Sequence, residues 1–192
     1  TNVLGLRRVK KTVNFDAPDV YHLYYGDEAG SPGTVMTYFP FPHAARGKRG
    51  TGEVGTTSFV IPQGTAKSWA ERLGTFDIAN VSQDVRFGET RVLFDGPDGD
   101  RFALIEKDDD RAPWTGNGIG ADMGIRGFHS ADMRLRDGGA SSELLTFMGY
   151  EKLETEGNVT RFAVPGGNDA NIIDIETLPE VGHAGQGAGS VH

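Results

Sequence analysis

Apolar and polar residues alternate at period two through most of this chain, and only two short stretches show a helical period. Residues 4–42, LGLRRVKKTVNFDAPDVYHLYYGDEAGSPGTVMTYFPFP, predict three strands joined by two turns. In the first strand Val9, Val13 and Phe15 fall on one face and Arg8, Lys10 and Thr12 on the other, so the apolar face needs a cover. Asp16 to Asp19 turns the chain into a second strand over 20–26, and Ser31-Pro32-Gly33 turns it into a third over 34–39. A glycine-rich connector, 43–52, leads to a strand over 53–61 that stops at Pro62, which cannot continue a sheet interior. A short helix follows over 66–73, with Ala66, Trp69 and Leu73 on one face and Gly74 as its stop. Strands over 83–86, 90–94 and 101–106 come next, the last two divided by the turn DGPDG. The pattern restarts beyond 107–122 with a strand over 126–135, a helix over 140–147, and strands over 150–154, 159–164 and 171–177.

Composition narrows the class. The 192 residues carry a net charge of −8 and no cysteine. Acidity argues against nucleic acid and against an anionic membrane surface as partners, and the basic run from Arg7 to Lys11 reads as the solvated face of a strand. The lack of cysteine removes disulfides, thiolate metal sites, iron–sulfur clusters and a thiol nucleophile. No signal peptide or apolar span is visible, which makes the cytoplasm the default expectation. The 28 glycines fit a fold built on turns.

The chain repeats itself. TFMGYEKL (146–153) lies over NVLGLRRV (2–9), and GAGSV (187–191) lies over GTGEV (50–54). The unit is strand, helix, three strands. Its first copy has only four residues ahead of Gly5, and its last copy stops soon after it starts, so the expectation is a middle piece of a longer protein. Two units are expected to pair within 1–112, a linker to run over 113–124, and a second pair to begin over 125–192.

With these residues the repeated unit resembles the vicinal oxygen chelate superfamily of glyoxalase I, bleomycin-resistance proteins and extradiol dioxygenases. Within it, residues 4–34 together with ARGKRGTGEV, RFGETRVLFDGPDGDRF and GIRGFHSADMRL resemble the ring-cleaving dioxygenases of hydroquinones. The resemblance implies an α+β fold of four βαβββ modules, the first and fourth incomplete here. It also implies Fe(II), with Mn(II) as an alternative, held by two His and one carboxylate, an aromatic substrate with O2, and a homo-oligomer. In that family the ligands lie on the opening strand of module one and on the opening and last strands of module four. The corresponding slots of the middle modules hold Thr56, Ser130 and Ala103, so neither is expected to bind metal. His192 takes the first place of the family's His-His pair, where it would hydrogen-bond the substrate or oxygen adduct and shuttle a proton. The metal ligands themselves are expected upstream of Thr1 and just after His192, so the 192 residues alone are expected to be inactive.

The remaining candidates read as structural. His129 and His22 are expected to be packed strand histidines, His43 and His183 solvated connector residues, and Glu106, Asp174 and Glu176 strand-end carboxylates rather than ligands. Tyr21, Tyr24, Tyr25, Tyr38, Phe39 and Phe41 read as sheet-face residues, of which one or two line a pocket. The glycine-rich connectors lack the context of a phosphate loop. Two other activities fit the same scaffold: a glyoxalase-like isomerase or lyase, and a metal-free binder like the bleomycin-resistance proteins.

Overall fold

The structure, a computed structural model, describes residues 1–168 and 170–191. Eleven strands and two helices follow in the order β1 (Arg7–Val13), β2 (Tyr21–Gly26), β3 (Met36–Tyr38), β4 (Glu53–Ile61), α1 (Ala66–Thr75), β5 (Ala79–Arg86), β6 (Glu89–Asp95), β7 (Arg101–Glu106), β8 (Gly127–Leu135), α2 (Gly139–Phe147), β9 (Glu151–Glu156), β10 (Val159–Ala163) and β11 (Ile172–Thr177). Strands β4 and β7 have the predicted bounds. Strand β5 starts earlier than its pattern suggested. Asn80, at φ 56°, and the slipped register between Ala79 and Ser82 break the alternation there.

The strands form a three-stranded sheet, β1-β2-β3, and an eight-stranded sheet, β5-β6-β7-β4-β8-β11-β10-β9. The second is two copies of one unit. In each copy the opening strand runs parallel to the last, β4 with β7 and β8 with β11, and the opening strands pair antiparallel at the centre. Modules two and three share one continuous sheet, and the segment 113–124 buries Trp114 and Ile119 in the first core. The physical reason is that β4 and β8 have matching alternation and free edges, which pairing satisfies.

The face of the sheet beneath α1 carries the larger core. Ala66, Trp69 and Leu73 pack on Phe59, Ile61, Val92, Phe94, Phe102 and Leu104. Trp69 donates from Nε1 to the Met123 carbonyl at 3.0 Å, so its one polar atom is satisfied within the core. Glu106 Oε1 accepts the Ala66 N–H at 2.7 Å, placing a carboxylate on the positive end of α1. The core beneath α2 is smaller and rests on Leu145, Phe162 and Ile175.

Two connectors clasp each other. Backbone bridges join Arg46 to Ala188, Lys48 to Gly185 and Thr51 to His183, so 43–52 lies against 182–190. Gly50 is required there, because a Cβ on it would stand 2.3 Å from the Ala184 nitrogen. Gly55 is the extra residue of a bulge in β4 and lets the Arg134 side chain cross it, where a Cβ would meet Cδ at 2.1 Å.

The first strand departs from expectation. A bulge between Arg8 and Lys10 shifts its alternation, and the face expected to be buried is open, with Val13 55% and Phe15 95% exposed. The opposite pairing faces decide its role: Tyr25 and Met36 pack against the larger core, while His22, Tyr24 and Thr37 turn the other way.

Candidate functional site

The inner face of the eight-stranded sheet, away from both helices, carries a polar cluster beside the apolar Val60, Ile105 and Ile172. Ladder partners put Ser58 with Ser130 and Ala103, Arg91 with Asp84, and Asp174 with both Asp132 and Arg161 on this one face. The sheet curls until its edges meet, since the Phe87 N–H after β5 bonds a Glu156 carboxylate oxygen at the end of β9. The enclosed side chains are ionisable yet almost wholly buried: Arg91, His129, Asp132, Arg161 and Asp174 all expose 5% or less. Burying charge is costly unless partners are close, and here they are.

Arg161 is the hub. It grips Asp174 through Nε at 2.8 Å and Nη2 at 2.9 Å, reaches Glu89 with Nη1 at 2.7 Å, and lies 4.2 Å over the Phe87 ring. Glu89 also meets His129 Nε2 at 3.2 Å, and His129 Nδ1 meets Ser130 Oγ at 2.9 Å. Burial would raise the Glu89 carboxyl, but hydrogen bonds and charge from His129 and Arg161 outweigh it and hold the group down to about 2. Asp132 is pushed up by burial, against the pull of Arg86 at 2.8 Å. A second two-bond pair joins Arg91 to Asp84 at 2.8 and 2.7 Å.

A metal does not fit this face. Among the described residues no three His, Asp or Glu side chains converge on a point that could hold an ion. The carboxylates of Glu89, Asp132 and Asp174 are turned to guanidinium groups, whose charge repels a cation. Thr56 and Ser130, in the slots where the resemblance puts ligands, are 7% and 5% exposed, and Ala103 is fully buried.

The corresponding face of the three-stranded sheet is aromatic. The His22 ring stacks on Tyr24 at 4.0 Å between centroids and tilts against Phe39 at 4.1 Å. Tyr24 Oη meets His22 Nδ1 at 2.8 Å, while Nε2 is buried without a hydrogen-bond partner. Lys10 and Thr12 stand opposite Tyr24 and His22 in the ladder, and Lys10 Nζ lies 5.4 Å over the Tyr24 ring.

The other candidates fall elsewhere. Glu106 caps α1, Asp174 is held by Arg161, and Glu176 accepts from Arg134 Nε at 3.1 Å. His43 and His183 are exposed in the clasped connectors. Tyr21, Tyr38 and Phe41 expose 51%, 37% and 45% of their surface, more than a core position would. His192 lies outside the described residues. Arg161 and Glu89, which organise the inner face, were not singled out by sequence, because their partners are 13 and 72 residues from Arg161. The Tyr24 partner of His22 did carry a signal: positions i and i+2 of one strand share a face.

No family model matches the chain. It is 41% identical to the Bacillus subtilis protein named "Putative ring-cleaving dioxygenase MhqO", over 99% of this chain and 61% of that one. It is 36% identical to chlorohydroquinone/hydroquinone 1,2-dioxygenase of Sphingobium indicum, over 98% of this chain and 61% of that one. The chain thus spans about three fifths of the length of these relatives. Among solved structures, one titled "putative dioxygenase" from Bacillus subtilis superposes with a TM-score of 0.93 at 40% identity, covering 100% of this chain and 61% of that one. Maize glyoxalase I superposes at 0.72 with 13% identity, over 100% and 66% of the respective chains, which speaks to the fold alone. Two strand-helix-three-strand units joined through their opening strands give the chain the fold of glyoxalase I, while the relatives it resembles in sequence are named as ring-cleaving dioxygenases.

Proposed function

We propose that the protein is a metal-dependent, cytoplasmic dioxygenase that opens the ring of hydroquinone-like aromatic diols with O2, and that it assembles as a homo-oligomer. The observation that carries this reading is identity of 36 to 41% to proteins of that name, sustained along nearly the whole chain rather than at one motif. Fe(II) is the metal this reading expects, with Mn(II) as the alternative. Its site does not fit the inner face of modules two and three, so the reading looks for the ligands outside the described residues, with His192 beside one of them. The face of module one that bears His22, Tyr24 and Phe39 then becomes a wall of the reacting cup, and the second and third modules act as a scaffold locked by charge.

The test is oxygen uptake by the full-length protein loaded with Fe(II). Addition of hydroquinone is expected to consume one O2 per ring opened, and no uptake would overturn the reading. Residues 1–192 expressed alone are expected to consume none; turnover by that piece would show that the ligands have been placed wrongly.

A further inference from the structure

Among the described residues, two buried side-chain polar atoms have no hydrogen-bond partner, Ser58 Oγ and His22 Nε2. A native protein leaves few such atoms, and each asks for an explanation. A serine hydroxyl is small and rotates freely. The imidazole of His22 is fixed by contrast: Tyr24 holds Nδ1 at 2.8 Å, and the rings of Tyr24 and Phe39 lie at 4.0 and 4.1 Å. Whichever of the two groups carries the shared hydrogen, Nε2 remains as the one free edge of a held ring.

The repeat says where that edge belongs. Strands β2 and β3 correspond to β6 and β7, and the β2 and β3 face that packs against the core matches the one bearing Val92, Phe94, Phe102 and Leu104. His22 and Tyr24 therefore take the positions that Arg91 and Leu93 take on the inner face of module two. There Arg91 is consumed by Asp84. In module one no such carboxylate bonds His22 among the described residues, and the surroundings are flat aromatic rings, which pack against another aromatic ring in offset or edge-on geometry.

We propose that His22 is a substrate-binding residue, whose Nε2 makes the missing hydrogen bond to a ring hydroxyl of an aromatic diol lying against Tyr24 and Phe39. The assignment rests on the dioxygenase reading for the identity of the ligand. The His22 edge is closed to solvent, so a diol reaches it only as the surrounding rings shift, and the single hydroxyl partner it then gains is worth about tenfold in affinity.

The experiment is a titration of hydroquinone into the full-length protein under nitrogen, followed by ligand-observed NMR, in the unaltered protein and in His22→Phe and His22→Gln. Phe keeps a ring between Tyr24 and Phe39 and removes Nε2; Gln returns a polar group to the same reach. His22→Phe is expected to raise Kd about tenfold with Tm unchanged or higher, and His22→Gln to recover part of the loss. Equal Kd in the unaltered protein and His22→Phe, no binding by the unaltered protein, or a loss that tracks a fall in Tm would overturn the proposal. Oxygen uptake reports separately. Binding that depends on His22 without any uptake would support this assignment while ending the dioxygenase reading, and uptake with equal Kd would do the reverse.

Discussion

On the inner face of the eight-stranded sheet, Arg161, Glu89, Asp174 and His129 answer one another's hydrogen bonds; on the corresponding face of the three-stranded sheet, His22 sits among aromatic rings with one nitrogen unanswered. Both faces belong to copies of the same repeated unit, and both bear ionisable side chains. The difference lies in how much recognition capacity is left over. In the first, charge is matched to charge at 2.7 to 2.9 Å around Arg161, and the Ser58 hydroxyl is the buried side-chain atom left without a partner among the described residues of that face. In the second, one donor-or-acceptor edge is held in place and left free. One copy of the unit thus closes its inner face with ion pairs, while another leaves a histidine nitrogen without a partner among the described residues.

The contrast predicts where the molecule breaks. Arg161→Leu removes the hub and strands the buried carboxylate of Asp174, while Glu89 keeps its hydrogen bond to His129, and urea unfolding should show a loss of about 3–5 kcal/mol. If the network serves the fold rather than a ligand, replacing Glu89 and Asp174 by apolar residues of similar volume in the same protein should restore most of that loss. A variant set that regained stability but lost hydroquinone binding would instead make the charged face part of the ligand site.

Acid should act on the same face next. The Glu89 carboxyl is held down to about 2, below the value of about 4.3 in an unfolded chain, so its contribution is present above pH ~4.3 and lost as pH falls towards 2. Asp132, pushed up by burial, works against this, because its ionised form costs stability as pH rises above the unfolded carboxylate range. Denaturant midpoints followed from pH 5 to pH 2 should fall, and Glu89→Gln should flatten that fall; an unchanged slope would mean that Glu89 is not what acid breaks.

On the aromatic face the stability effects are smaller. Tyr24→Phe removes one hydrogen bond to His22, and Tm should report a loss of about 1 kcal/mol. A cost several times larger would mean that the tyrosine supports the sheet itself. Smallest of all, Phe15→Ser at a position 95% exposed should stay within about 0.5 kcal/mol of the unaltered protein in urea.

Particular residues show how far sequence could see. The period-two runs ending at Pro62 and flanking the turn DGPDG gave β4 and β7 their bounds, and Trp69 and Leu73 set the buried face of α1. Those signals are local, because side-chain periodicity is fixed by the backbone of the element itself. At Val13 and Phe15 the same reasoning misjudged the face, since the bulge between Arg8 and Lys10 costs one residue of register and sequence does not mark it. Glu106 as a helix cap could not be read from sequence, because the N–H it accepts is 40 residues away.

What the sequence determined by itself is therefore the repeated strand-helix-three-strand unit and the turns between its parts. Only the tertiary structure decided that module two pairs with module three, that Arg161 locks their shared face, and that His22 keeps a free edge. Each of those outcomes depends on which sheet edges and which charges meet across long stretches of chain, and such meetings are settled by competition among burial, charge pairing and strand register over the whole fold.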